Sequence, residues 1–280
     1  MHHAVDVCPL GELADPRTVV RLAVAAERAG WDGLSIWDSL GTSMGAAAGD
    51  PLVTLAAVAS ATTRLRLITS VLALPRRRPQ LVAQSVATLD RLSGGRVTLG
   101  LGSGGDPGDL EPFGEPVDPA ARAQMLDEGA ALVDNLLRGE TVDHVGPTYR
   151  AAGVAVGPRP LQQPRPPIWI GGMSTAALRR AARWDGWIAI GVSDDGAAMN
   201  LAPARLGVMV AQISDRRAAL GRAGEPLDVA VFGLSEPGDG RLVAEFGAAG
   251  ASWWLESLSP LRGPIDQLLQ RIEAGPPIGG

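Results

Sequence analysis

Short apolar runs alternate with amphipathic helical stretches eight times along this chain of 280 residues. Ala4–Pro9, Leu34–Trp37, Leu65–Leu72, Val97–Leu101, Ile168–Ile170, Trp187–Ile190, Asp228–Leu234 and Ser252–Leu255 read as strands. Between them, apolar residues recur at the spacing of one helix face, as at Ala123, Leu126, Ala130, Val133 and Leu137. Caps mark the helix ends. Asp15-Pro16 and Asp50-Pro51 each join a side-chain acceptor for free N–H groups to a ring pre-set at helical φ, and Gly30 and Gly94-Gly95 are stops. The remaining helices are predicted over Pro79–Leu92, Pro119–Leu137, Thr175–Trp184, Ala204–Ala223, Arg241–Ala249 and Pro264–Ile272. Strands that are apolar throughout are buried on both faces, which means a parallel sheet covered by helices. Eight βα units in this length favour closure into a TIM-type (β/α)8 barrel over an open, doubly wound sheet. No linker interrupts the chain, so residues 1–280 are expected to form one α/β barrel domain. The alternation breaks once, around residues 141–151, where Val142, His144 and Thr148-Tyr149 flank Gly146-Pro147 and predict a small hairpin insertion.

Composition narrows the function. With 46% hydrophobic residues the chain can bury a large core, and its net charge of −5 carries no basic footprint for nucleic acid. All 25 basic residues are arginine, so no P-loop lysine exists. A single cysteine, Cys8, excludes an internal disulfide and a multi-cysteine metal site. No basic region followed by an apolar run opens the sequence, and no apolar stretch is long enough to span a membrane, which points to a cytoplasmic protein. No His/Cys/carboxylate cluster has metal-ligand spacing, and none of Ser70, Ser103 and Ser174 sits in a G-x-S-x-G elbow. Gly100–Gly105 satisfies G-x-G-x-x-G, but Pro107, Gly108, Pro112 and Pro116 follow where a dinucleotide-binding fold needs a helix at once.

Three longer segments, Ala23–Asp38, Ala87–Gly102 and Pro167–Ile188, together with Phe113–Glu115, Gly146–Arg150 and Gly250–Glu256, resemble the luciferase-like oxidoreductases, which use FMN or the deazaflavin F420. The resemblance implies a barrel with the cofactor lying across the C-terminal ends of the strands, a small-molecule substrate, and pairing of two copies through barrel helices. It also implies that Ser70-Val71 forms a bulge, with a cis peptide, behind the cofactor ring. Gly171, Gly172, Met173, Ser174 and Thr175 would then receive the cofactor phosphate. On residue chemistry alone, that segment is equally a plain βα turn with a Ser/Thr cap, although small residues before a helix do let a phosphate approach free N–H groups. Gly102, Ser103 and Gly104 would top the fourth strand beside the cofactor.

Two departures from the family pattern matter. Many relatives carry Asp-His after strand two, with the imidazole facing the reactive ring; here the pair is Asp38-Ser39. A hydroxyl cannot hold or give a proton near neutral pH as imidazole does, so any proton chemistry falls to Asp38, water or the substrate, or else the chain is a non-catalytic binder or scaffold. Some FMN-using relatives have arginine where Ser103 stands, and Arg76-Arg77-Arg78 could attract an acidic cofactor tail; both observations favour F420 over FMN. The same arginines could equally form surface ion pairs. Among the seven tryptophans, Trp37 is the one expected to line the cavity, with Arg76 near it. Glu111 and Glu115 lie in the loop after the fourth strand without an assigned role.

Overall fold

A computed structural model describes residues 1–191 and 200–278. Eight parallel strands close into a barrel: β1 (His2–Val7), β2 (Gly33–Ile36), β3 (Arg66–Thr69), β5 (Val97–Gly102), β8 (Ile168–Gly171), β9 (Gly186–Ala189), β10 (Asp228–Gly233) and β11 (Trp253–Leu258). Closure comes from β11 pairing with β1, in the register Ala4↔Leu255 and Asp6↔Ser257. The TIM-barrel expectation holds, and the open sheet is excluded.

The helices α1 (Pro16–Arg28), α2 (Pro51–Ala61), α3 (Pro79–Ser93), α4 (Pro119–Leu137), α5 (Thr175–Ala181), α6 (Pro203–Ala219), α7 (Arg241–Ala248) and α8 (Ile265–Glu273) cover the barrel. Their ends follow the local chemistry. The Asp50 carboxylate accepts from the N–H groups of Leu52 and Val53, and Asp118 caps α4 through Ala121. Gly94 ends α3 at φ 72°, a conformation that only glycine enters without steric cost.

Alternate positions on each strand serve two cores. Val5, Leu34, Leu67, Leu99, Ile170, Trp187, Val231 and Trp254 pack outward against helices. Ala4, Ile68, Trp169, Ile188, Ala230, Phe232, Trp253 and Leu255 fill the interior. Trp169 and Trp253 meet edge-on, 5.7 Å between ring centroids. Gly186 makes room for Trp169, whose indole would collide with any Cβ there. Each such buried side chain contributes about 1.5–3 kcal/mol. The barrel interior is therefore filled by side chains, as in other barrels of this type.

Several boundaries differ from expectation, among them the first strand, which is His2–Val7, and the sixth helix, which ends at Ala219 instead of Ala223; three others bear on the loops and turns. The third strand was expected to be continuous over Leu65–Leu72; it ends at Thr69 and resumes as β4 (Leu72–Ala73) after a cis peptide between Ser70 and Val71. The fifth helix stops at Ala181 instead of Trp184, because Arg183 and Trp184 close tight turns onto Arg180 and Ala181. The hairpin, β6 (Val142–Val145) with β7 (Arg150–Val154), runs further than predicted, and Glu128 fixes its turn by accepting from Thr148 N, Tyr149 N and the His144 ring.

Candidate functional site

Val71 forms part of the floor of the mouth. Its side chain packs on the inner core beside Ile190. A Cβ on Gly171 would lie 2.6 Å from Val71 Cγ1, and one on Gly102 would also collide with Val71. The glycines that end β5 and β8 thus form a cradle for Val71, with Ile190 beside it. Gly172 follows at φ 123°.

Beneath this floor lies Asp6, an acid set among the buried apolar residues Ala4, Val5 and Val7 of β1. It is fully buried. Oδ1 accepts from Ser35 Oγ (2.5 Å) and Ser70 Oγ (2.7 Å), and Oδ2 accepts from the Trp37 indole N–H (2.7 Å). Burial pushes its pKa up to about 6 against the opposing pull of these three donors. Cys8, two residues on, is pushed up to about 12 by burial and by the Asp6 charge.

One wall of the mouth is an ion-pair network between loops. Asp38 accepts from Ala73 N (2.8 Å) and from both Arg77 Nε (3.1 Å) and Nη2 (2.9 Å), while Arg76 lies 3.1 Å from its Oδ1. Arg76 also bonds Asp109 at 3.1 Å, and Arg77 reaches Asp50. Asp109 in turn accepts from Ser39 Oγ (2.9 Å), Leu40 N (2.8 Å) and Thr42 N (3.3 Å). Burial would raise the Asp109 pKa, but these donors and Arg76 outweigh it and hold the carboxyl below its usual range. For Arg77, desolvation is outweighed by the Asp38 carboxylate, and its pKa rises. The Ser39 hydroxyl is committed at both ends, since it also accepts from Gly41 N (3.0 Å).

A cavity of about 190 Å³ opens beside this wall, lined by Trp37, Asp38, Ser39, Met44, Arg76, Gly104, Gly105, Asp106, Asp109 and Leu110. Of the residues singled out from sequence, Trp37, Asp38, Ser39, Arg76 and Gly104 converge here. Ser70, Val71, Gly102 and Gly171 lie at the C-terminal ends of β3, β5 and β8 and do not line this cavity. Ser103 makes only a long contact to the Gly104 carbonyl (3.4 Å). Met173, Ser174 and Thr175 do not line this cavity: Met173 packs on the outer core, and Ser174 caps α5 by accepting from Ala177 N (3.1 Å). Asp6, Asp106 and Asp109 were missed. The signal for Asp6 was an acid at a strand position of apolar type; the signal for Asp109 was the need of three adjacent arginines for partners. Among the described residues, no group of His, Cys, Asp and Glu is placed to hold a metal ion, and no helix is long and apolar enough to cross a membrane.

The sequence profile of luciferase-like monooxygenases matches residues 3–245. This chain belongs to that family. Within reach of this luciferase-like barrel is an uncharacterized protein of Mycobacterium tuberculosis, 33% identical over 233 residues, which cover 77% of this chain and 76% of the relative. Among solved structures, an F420-dependent secondary alcohol dehydrogenase in complex with an F420–acetone adduct superposes with a TM-score of 0.82 at 16% identity, covering 99% of this chain and 98% of that one. The oxygenating constituent of 3,6-diketocamphane monooxygenase of Pseudomonas putida, in complex with FMN, gives 0.75 at 15% identity, covering 98% and 97%. At these identities the two structures share the fold of this luciferase-like chain.

Proposed function

We propose that this chain is a flavin- or deazaflavin-dependent oxidoreductase that exchanges hydride with a compact organic substrate, with F420 preferred over FMN. The observation that carries the reading is the close packing of Val71 against Gly102 and Gly171 at the strand ends, a floor of small residues on which a planar ring can lie. Family membership and two structural neighbours, one with F420 and one with FMN, support the same reading. When bound, either cofactor supplies a two-electron carrier, and FMN adds a route to O₂ chemistry.

The residues present fit such a group. Gly104 and Gly172 offer close backbone approach on either side of the floor, and Ser174 and Thr175 stand exposed at the start of α5. Ser103 supplies no counter-charge for an FMN phosphate, which favours F420. The arginine run lends less to that preference than its sequence suggested, because Arg76 and Arg77 are already paired with Asp38, Asp50 and Asp109.

Asp38 and Ser39 act here by shape. Asp38 pins the turn after β4 to the end of β2, and Ser39 anchors the loop behind Trp37. The adjoining cavity is smaller than those that enclose drug-sized ligands, so the substrate is compact and meets Trp37, Met44 and Leu110. A second reading, a ligand-binding member without turnover, draws on the committed hydroxyl of Ser39. Titrating the purified protein with F420 and with FMN separates the cofactors: micromolar binding of F420 supports the proposal, and binding of FMN alone reverses the preference. Hydride transfer by the wild-type protein eliminates the second reading.

A further inference from the structure

We infer that Asp6 is a positioning residue of this site, an ionisable group beneath the floor that ties the Trp37 wall to the Ser70–Val71 bulge and makes the site respond to pH. The inference rests on the reading above for its catalytic meaning, but the network itself does not depend on a cofactor.

The geometry is specific. One carboxylate bonds two residues from different elements: Ser70, which begins the bulge, and Trp37, which lines the cavity. Ser35 supplies the third bond from within β2. All three donors are neutral, and no ion pair with Asp6 is formed among the described residues. The charged groups on the elements around it face elsewhere. Arg66, at the start of β3, donates to Thr98. Glu256 on β11 bonds Arg262, Arg271, Ser235 and Trp254 on the outer side. His3 and Asp32 interact with each other at the foot of β1 and β2. Asp38, just past Trp37, is held by Arg76 and Arg77. Cys8, just past the end of β1, stays protonated. Asp6 therefore titrates as an isolated buried acid.

Its two states treat the site differently. Ionised, the carboxylate accepts from all three donors and sets a negative charge under the floor. Protonated, it must donate once. A serine hydroxyl can turn to accept, but an indole N–H cannot, so the proton sits on Oδ1 and Ser35 or Ser70 reorients. The change is felt at the bulge hydroxyl and as loss of charge behind Trp37.

The test is a pH titration of tryptophan fluorescence between pH 4 and 8, with Trp37→Phe identifying the Trp37 component. Wild type is expected to show an inflection near pH 6 in that component. Ser70→Ala removes one bond to the charged form, so its inflection moves upward. Asp6→Asn, checked for folding by circular dichroism, shows none. Riboflavin, a neutral ring with no group titrating in this range, is the site probe: its affinity for wild type is expected to change across the inflection by severalfold, and its affinity for Asp6→Asn to stay constant. An inflection that persists in Asp6→Asn, a Ser70→Ala titration that does not move, or riboflavin binding with the same pH profile in wild type and Asp6→Asn overturns the inference. If riboflavin does not bind at all, titration with F420 and FMN decides the cofactor reading, and the Trp37 titration alone decides whether Asp6 governs this wall.

Discussion

Val71 packs into the space that a side chain on Gly171 would need, with Val71 Cγ1 2.6 Å from where a Cβ would stand. Gly171→Val is therefore expected to displace the bulge. Overpacking of this kind costs about 1–3 kcal/mol, which urea denaturation should record as a lower midpoint with an unchanged slope. Binding of the ring should suffer more than folding does, by about tenfold or more in Kd for each 1.4 kcal/mol lost at the floor.

Arg76 bridges two buried carboxylates, Asp38 and Asp109. Arg76→Met keeps the stem and removes the charge. Because an uncompensated buried charge is the expensive outcome, the loss is expected at about 3 kcal/mol. The deficit should shrink in the double variant Arg76→Met/Asp109→Asn, which removes one stranded charge; a thermal or urea double-mutant cycle reads the coupling directly.

Much of this architecture was legible in the sequence, and the exceptions have physical causes. The βα alternation is written in local periodicity, and Asp15, Asp50 and Gly94 act as caps through neighbours a few residues away. The break at Ser70-Val71 was invisible to periodicity, because serine and valine both suit a strand; only the family resemblance pointed there. The loop-to-loop pairs of the wall network lie 27 to 70 positions apart, as in Arg77 with Asp50, Arg76 with Asp109 and Ser39 with Asp109, and no local pattern encodes such pairing. The arginine run illustrates this. Its charge suggested a ligand, whereas two of its three members are consumed by the protein's own acids.

Stability should carry the signature of Asp6. Its folded pKa of about 6 lies above the unfolded value of 3.8, so the native state binds the extra proton. Stability is then greatest below about pH 4, falls as pH rises towards 6, and stays reduced above that. The shift of about two units corresponds to roughly 3 kcal/mol. Asp109, Glu27 and Glu128 are shifted the opposite way and mask the trend in wild type alone. The difference between wild type and Asp6→Asn, measured by urea denaturation from pH 4 to 7, should isolate it.

Cys8 is buried with its pKa pushed up to about 12. It should therefore resist a thiol reagent at pH 8 in the native protein and react at once in denaturant. Rapid native labelling would show that the end of β1 opens to solvent.

Ser39→His places an imidazole beside Asp109, whose carboxylate can orient it. If turnover is limited by the missing proton donor, the variant should gain about a hundredfold in kcat, within the range of general acid–base catalysis, with a new pH dependence near neutrality. Steady-state kinetics across pH 5–8 check this.

The most direct measurement is a titration of the purified wild-type protein with F420 and with FMN, followed by the visible absorption of the ring, alongside Gly171→Val. A perturbed spectrum with saturable micromolar binding in wild type, and its loss in the folded variant, is the predicted result. A wild-type protein that leaves both spectra unchanged, or a variant that binds as tightly as wild type, contradicts the placement of a planar cofactor on the floor formed by Val71, Gly102 and Gly171.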